Sequence, residues 1–150
     1  MEGNEVGAAF GLVQLQSLRN NILKRQENFL LQCNFFKKYA DYFEIPKELE
    51  GISTAWLAFP ILLKKNISFN RKQFQIYLEE NNIQTRVVFT GNILRQPMCR
   101  NIQKRVTQRG LGNSDEIMKN GVLLPLHHGM TKKMFDKLHN TINKFIEEFG

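Results

Sequence analysis

Cysteine is scarce in this chain: Cys33 and Cys99 are the only two. They lie far apart, without metal-ligand spacing, which excludes a disulfide scaffold and a cysteine-based zinc site and reads as free thiols of a cytoplasmic protein. Proline is equally sparse, four in all, and none falls before Pro46, so nothing interrupts a helix in the first third of the chain. No run approaches the roughly 20 apolar residues that cross a membrane. Met1-Glu2-Gly3-Asn4-Glu5 is acidic where an export leader begins basic, so no leader is expected. A glycine-rich phosphate loop between a strand and a helix is missing, as are a Ser-His-Asp elbow, internal repeats and low-complexity tracts. Acidic residues are in deficit, 14 against 21 Lys and Arg, for a net charge of +7.

What is present is enough for one domain: 150 residues, 42% apolar, with twelve Phe. Leu12, Leu15, Leu18, Ile22, Phe29, Cys33, Phe36 and Ala40 recur at three-or-four spacing and predict one helix from about Glu5 to Ala40. At 1.5 Å per residue it is roughly 50 Å long, against a radius of gyration of about 15 Å for a compact domain of this size. The helix therefore overhangs its domain. Its free end is rich in Gly and Ala (Gly3, Gly7, Ala8, Ala9, Gly11), although Gly inside a helix is unfavourable by roughly 1 kcal/mol against Ala. Such an end expects another backbone close by.

Further along, Thr54–Leu63 is almost continuously apolar and reads as a strand, with Pro60 favouring an edge or a strand end. Asn70 with Gln73 predicts a capping box, and Phe69 with Phe74 a hydrophobic staple, for a helix to about Glu80. Thr85–Phe89 reads as a second strand. Residues 90–112 form a long polar, basic loop of the kind that is usually functional. Asn113 with Glu116 predicts the cap of a short helix to Lys119, Val122–Leu126 a third strand, and Thr131 the cap of a last helix. That helix carries one apolar stripe of Met134, Phe135, Leu138, Ile142, Phe145, Ile146 and Phe149. The order predicts an α+β domain: a long N-terminal helix, then a small, mainly antiparallel three-stranded sheet with helices on one face.

Chemistry is concentrated in few places. His127-His128 is the one histidine cluster, but neighbours on a strand point to opposite faces, so the pair does not make a metal site. His139 is expected at the surface, and Trp56 and the Phe residues in the core. In Thr85–Pro97 a strand ends at Gly91, and Asn92, Arg95 and Gln96 offer hydrogen-bonding groups in a short turn. Arg86 and Arg95 suit forked binding of phosphate or carboxylate. Arg95, Arg100, Lys104, Arg105 and Arg109 fall in a segment almost free of acids, which leaves open a basic nucleic-acid-binding α+β module.

The motifs resemble one family. Glu5-Val6-Gly7-Ala8-Ala9-Phe10-Gly11-Leu12-Val13-Gln14-Leu15 resembles the E-[IM]-x-A-A-[IF]-G-x-x-Q-L helix start of the DegT/StrS family of pyridoxal-phosphate-dependent sugar aminotransferases. Arg25-Gln26-Glu27-Asn28 resembles that helix's continuation, and Ala55–Ile61 the first small-domain strand. Gly91-Asn92-Ile93-Leu94-Arg95-Gln96-Pro97 resembles the G-N-L-x-R-Q-P of the branch containing CDP-4-keto-6-deoxyglucose 3-dehydrase. Leu124–Thr131 resembles the L-P-x-x-x-G-[ML]-T turn before the C-terminal helix.

The resemblance implies the C-terminal part of a fold-type I enzyme. Residues 1–44 would be a long helix linking to a large domain, and 45–150 the small α+β domain. The Schiff-base lysine, or the histidine that replaces it in the dehydrase branch, would belong to the large domain. This chain then contains no catalytic residue and no metal site, does not hold pyridoxal phosphate alone, and is inactive in isolation. The implied substrate is a nucleotide-linked keto-deoxysugar of O-antigen-type polysaccharide synthesis, and the implied assembly a homodimer, with neither membrane nor nucleic acid as partner. Asn92, Arg95 and Gln96 would approach the substrate, with Arg86 supporting them or binding phosphate. The ordinary aminotransferases carry P-x-P-L-H-x-Q-P here; aligned on Gln96-Pro97, their His falls on Leu94 and their prolines on Thr90 and Asn92. That departure favours the dehydrase-like branch over plain transamination. A non-catalytic truncated remnant is the other expectation.

Overall fold

The structure, a computed structural model, describes residues 4–150; the readings placed on Met1–Gly3 lie outside the described residues. Helix α1 spans Glu5–Phe36 and tightens into a 3-10 turn at Lys37–Tyr39, inside the range expected for one continuous helix. Asn4 caps it, its side chain accepting from the Val6 amide at 3.0 Å. The overhang is present. Residues 4–20 are all exposed, and a Cβ added to Gly7 or Gly11 would meet nothing within 4 Å. From Asn28 onward the helix enters the core, burying Asn28, Phe29, Gln32 and Phe36. The packed unit therefore includes the C-terminal third of α1.

The sheet has four antiparallel strands in the order β1-β2-β4-β3: β1 Phe43–Glu44, β2 Ala58–Leu63, β3 Arg86–Val87 and β4 Gly121–Pro125. Three strands were expected, and β1 is the addition. It is two residues long and exists through pairing with Leu62 and Leu63, a tertiary contact without local signature. Pairing of β2 starts at Ala58 rather than Thr54, and β3 stops at Val87, because Phe89 and Gly91 turn the chain at φ 46° and 64°. Pro60 sits opposite Leu123 of β4. Since β1 covers only Leu62 and Leu63, the other flank of β2 at Pro60 has no strand to bond, which is where a missing N–H is tolerated.

Alternation along β2 sets the two faces. Phe59, Ile61 and Leu63 are buried, while Ala58, Pro60 and Leu62 are half-buried. Opposite them Leu124 and Val122 continue the buried face. Helices α2 (Arg71–Glu80) and α4 (Lys132–Phe149) join α1 in covering it. The core is largely phenylalanine: Phe36 meets Phe43 and Phe59 at ring distances of 5.4 Å, and Phe145 meets Phe69 and Phe74 at 4.8 and 5.1 Å. The Asn70–Gln73 capping box forms in both directions, and Phe69 lies 6.3 Å from Phe74, completing the staple. Thr131 caps α4 as expected, accepting from the Met134 amide.

Two local readings change. Helix α3 spans Gly112–Asn120 with Leu111 at the cap position, and Asn113 lies inside it. Glu116 does not reach back to a cap but accepts from the Asn120 amide group at 2.6 Å and pairs with Lys65 at 3.2 Å. His139 is half-buried rather than a free surface residue: its ring stacks on Phe35 at 3.8 Å, and its Nε2 lies 2.9 Å from Gln32 Oε1. Burial, with help from nearby Lys38, lowers its pKa to about 4.

Candidate functional site

The strand β3, the loop that follows it and the open face of the sheet make one region. The loop is built from local hydrogen bonds. Gly91 N–H donates to the Val88 carbonyl at 2.9 Å. Asn92 Oδ1 accepts from the Leu94 amide at 3.1 Å, capping the 3-10 turn Ile93–Arg95. Pro97 opens a second 3-10 turn at Pro97–Cys99, where its fixed φ suits a first position. Gln96 Nε2 donates to the Thr90 carbonyl at 2.8 Å and ties the loop across its base.

Helix α3 anchors this loop. Asn92 Nδ2 donates to Asp115 Oδ1 at 2.8 Å. Arg95 binds the same carboxylate through Nε to Oδ1 at 2.9 Å and Nη2 to Oδ2 at 2.6 Å. The Arg95 guanidinium first, and the Asn92 amide second, hold the Asp115 carboxyl down at a pKa of about 2, and the same contact raises that of Arg95. Asp115 also lies in the first turn of α3, where a negative charge suits the helix dipole. The backbone of Gly91 presses against α3 so closely that a Cβ would stand 2.4 Å from Met118 Cγ.

Asn92, Arg95 and Gln96, expected to face substrate, are thus gathered in one loop, and each makes hydrogen bonds to this chain itself. Arg95 keeps more than half of its side chain exposed even so. Arg86 is separate. It lies opposite Leu123 on β3, is exposed, and lines a cavity of about 820 Å³ with Leu57, Ala58, Phe89, Pro125 and His127. His127 Nδ1 accepts from the Gly129 amide at 3.1 Å, and its carbonyl accepts from Asn28 Nδ2 at 2.8 Å, so α1 holds the turn after β4. Two residues of the region went unread in the sequence. Asp115 is the first acid after Glu80 and follows a run of cations, which was a usable signal. Phe89, 85% exposed at positive φ, looked like an ordinary strand residue.

The fold and this region define a small α+β domain: an antiparallel sheet with its buried face covered by α1, α2 and α4, and a braced loop at its edge. The chain belongs to the DegT/DnrJ/EryC1/StrS aminotransferase family, whose profile it matches over residues 3–143. It is 32% identical over 146 residues to the lipopolysaccharide biosynthesis protein RfbH of Salmonella typhimurium, covering 97% of this chain and 32% of that protein. It is 25% identical to the GDP-4-keto-6-deoxy-D-mannose 3-dehydratase of Escherichia coli O55:H7, covering 89% of this chain and 33% of that one. A solved structure of the E. coli GDP-4-keto-6-deoxy-D-mannose-3-dehydratase with bound hydrated PLP superposes with a TM-score of 0.79 at 25% identity, over 89% of this chain and 33% of that chain. The chain thus spans about a third of the length of the curated relatives it matches.

The residues around the cavity do not fit that cofactor on their own. The lining supplies Arg86 and His127 as its titratable groups, with neither an amine to form an imine nor a carboxylate to face a pyridinium nitrogen.

Proposed function

We propose that this chain is the C-terminal part of a pyridoxal-phosphate-dependent enzyme acting on a nucleotide-linked keto-deoxysugar in polysaccharide synthesis, of the 3-dehydratase kind. The observation that carries this reading is the family match across nearly the whole chain combined with coverage of a third of the relatives. The Leu94 that stands where ordinary aminotransferases of this family carry histidine favours dehydration over transamination. The cofactor, and the lysine or the histidine that replaces it in the dehydrase branch, belong to the remaining two thirds, and without them the chain is inactive.

This chain's own residues bind and position. The loop at Asn92, Arg95 and Gln96 approaches the sugar nucleotide, and its bonds to Asp115 and Thr90 hold its shape. Arg86 carries a forked cation for phosphate. The exposed apolar half of α1, with Val6, Phe10, Leu12 and Leu15 in water, docks on the rest of the enzyme or on the second subunit of a homodimer.

The test is to read the DNA upstream of Met1 and express the longer frame. The expected product binds pyridoxal phosphate and removes the 3-hydroxyl from a nucleotide-linked 4-keto-6-deoxysugar. In that protein Arg95→Ala should weaken nucleotide-sugar binding by about 1–3 kcal/mol. No such frame, or a product that binds no cofactor, returns the chain to a non-catalytic remnant.

A further inference from the structure

The long connection between β3 and α3 has two halves with different surroundings. The first, Asn92–Gln96, is braced on Asp115 and the Thr90 carbonyl. The second leaves the body of the domain after Cys99. Residues 100–110 are all exposed, and 103–107 form neither helix nor strand. The hydrogen bonds of this half are its own. Lys104 Nζ donates to the Cys99 carbonyl at 3.2 Å, and the Gly110 amide closes a turn on the Thr107 carbonyl at 2.9 Å. Lys104 and Val106 curl back toward Leu94 and Arg95 around a cavity of about 290 Å³. The second half is therefore a shaped arm rather than loose chain.

Its side chains do not suit a solvated loop. Met98, Ile102 and Val106 are 74, 55 and 50% exposed. The side chains of Arg100, Arg105 and Arg109 make no hydrogen bond or ion pair among the described residues. No acid occurs from residue 81 to 114 to neutralise them. Ordering the backbone costs about 1–2 kcal/mol per residue, and apolar side chains left in water do nothing to offset it. A protein partner would: Met and Arg are enriched where proteins meet, and charge is matched across the contact. Two other partners fit less well. Residues 97–111 contain no aromatic side chain on which nucleic-acid bases could stack. A lipid surface is met by the apolar face of a helix, which 103–107 do not form.

We propose that residues 98–109 are a docking arm that packs on an acidic surface of the remaining two thirds of the enzyme. The proposal rests on the reading above that this chain is the C-terminal third of a longer protein. The arm's place in the chain selects that occupant. It leaves from the turn at Asn92–Gln96 and returns at α3, which holds that turn through Asp115. Whatever part of the enzyme meets the turn must therefore adjoin the arm. Charge describes the surface: carboxylates facing Arg100, Arg105 and Arg109 around an apolar patch for Met98, Ile102 and Val106.

Amide hydrogen exchange and trypsin cleavage, run side by side on the 150-residue chain and on the longer enzyme, test it. In the short chain, cuts after Arg100, Lys104, Arg105 and Arg109 should come first. In the longer enzyme those cuts, and exchange across 100–109, should be slower by about tenfold or more. Ile102→Asp, and separately the pair Arg105→Glu with Arg109→Glu, should return the arm of the longer enzyme to fast exchange. Lys133→Glu, on the exposed side of α4, should leave it slow, and circular dichroism should show all variants folded. Equal exchange in the two proteins, or slow exchange that survives both arm variants, would overturn the proposal. So would slowing in the short chain that grows with its concentration, which assigns the arm to a second copy. Slowing of the short chain by anionic vesicles or single-stranded RNA, with none in the longer enzyme, overturns it as well. The two readings separate in the longer protein. Turnover with a fast arm sinks the arm and keeps the enzyme. A slow arm in a protein that binds no pyridoxal phosphate keeps the arm and sinks the enzyme. The lack of any longer frame sinks both.

Discussion

Arg95 grips Asp115 through two parallel hydrogen bonds, Nε to Oδ1 at 2.9 Å and Nη2 to Oδ2 at 2.6 Å. This fork joins the turn after β3 to the first turn of α3, two segments with no sheet contact in common. The third donor on the same carboxylate, Asn92, is itself the cap of the 3-10 turn. One acid therefore fixes both the shape of the loop and its distance from the helix.

Removing that charge should alter acid stability with a definite sign. Asp115 titrates at about 2 in the folded chain and near 3.9 when unfolded. A carboxylate with a depressed folded value stabilises above the unfolded pKa, and that contribution is lost as pH falls from about 4 to about 2. Asp115→Asn should lower the urea midpoint at pH 6, and the gap to the parent should close on acidification through that window. A gap that stays constant from pH 6 to pH 2.5 would show that the ion pair contributes nothing to folding.

Gly91→Ala should be more damaging than any surface change in this loop. Its φ of 64° disfavours a Cβ, and the new atom would stand 2.9 Å from the Met118 Cα, which is backbone and has little freedom to retreat. Lost conformational compatibility and overpacking together are of order 2–4 kcal/mol. Denaturant unfolding should report that loss, and amide exchange should show opening concentrated in residues 88–99 and α3. A loss under 0.5 kcal/mol, on the order of an ordinary surface change, would mean that the loop is not braced there.

What could be read from the sequence was what neighbours in the chain determine. The Asn70–Gln73 box, the Thr131 cap and the α4 stripe depend on residues within one or two turns; the box and the cap are in place, and so is the stripe apart from Met134, which is exposed. The glycine-rich end of α1 was legible as an overhang because a helix has fixed rise and a small domain has fixed size. Strand β1 was not, since its two residues owe their pairing to Leu62 and Leu63. The Asn-x-x-Glu pattern at Asn113 misled, because Glu116 finds better partners in Asn120 and Lys65. For the candidate site, the motif gathers Asn92, Arg95 and Gln96 in one loop, but their donors turn toward a carboxylate and a carbonyl that only the folded chain brings near.

His139 supplies a second pH-dependent element, of opposite origin. Burial against Phe35 keeps it neutral down to about pH 4, whereas an unfolded histidine takes up a proton near 6.5. Between those values the unfolded chain binds more protons, so stability falls as pH drops from about 6.5 to about 4. His139→Phe keeps the stack but leaves Gln32 Oε1 without its partner, a loss of roughly 1–2 kcal/mol at neutral pH. Its midpoint should then lack the decline that the parent shows between pH 6.5 and 4.5. Parallel curves for parent and variant would place the titration elsewhere.

Phe89 offers a comparison in which the smaller side chain is the more stable one. Alanine at this position removes an exposed ring but retains a Cβ at φ 46°, where an L-residue is disfavoured by roughly 1–2 kcal/mol. Glycine removes the Cβ as well. It gains that strain energy and gives back part of it, about 0.4–1 kcal/mol, through the greater freedom of its unfolded chain. Because the ring is 85% exposed, neither variant loses much burial. Phe89→Gly should therefore unfold at higher urea than Phe89→Ala, by about 0.5–1 kcal/mol. If glycine is instead the less stable of the two, the left-handed backbone at Phe89 is not strained, and the bracing by Gly91, Arg95 and Asp115 holds a conformation the chain would take unaided.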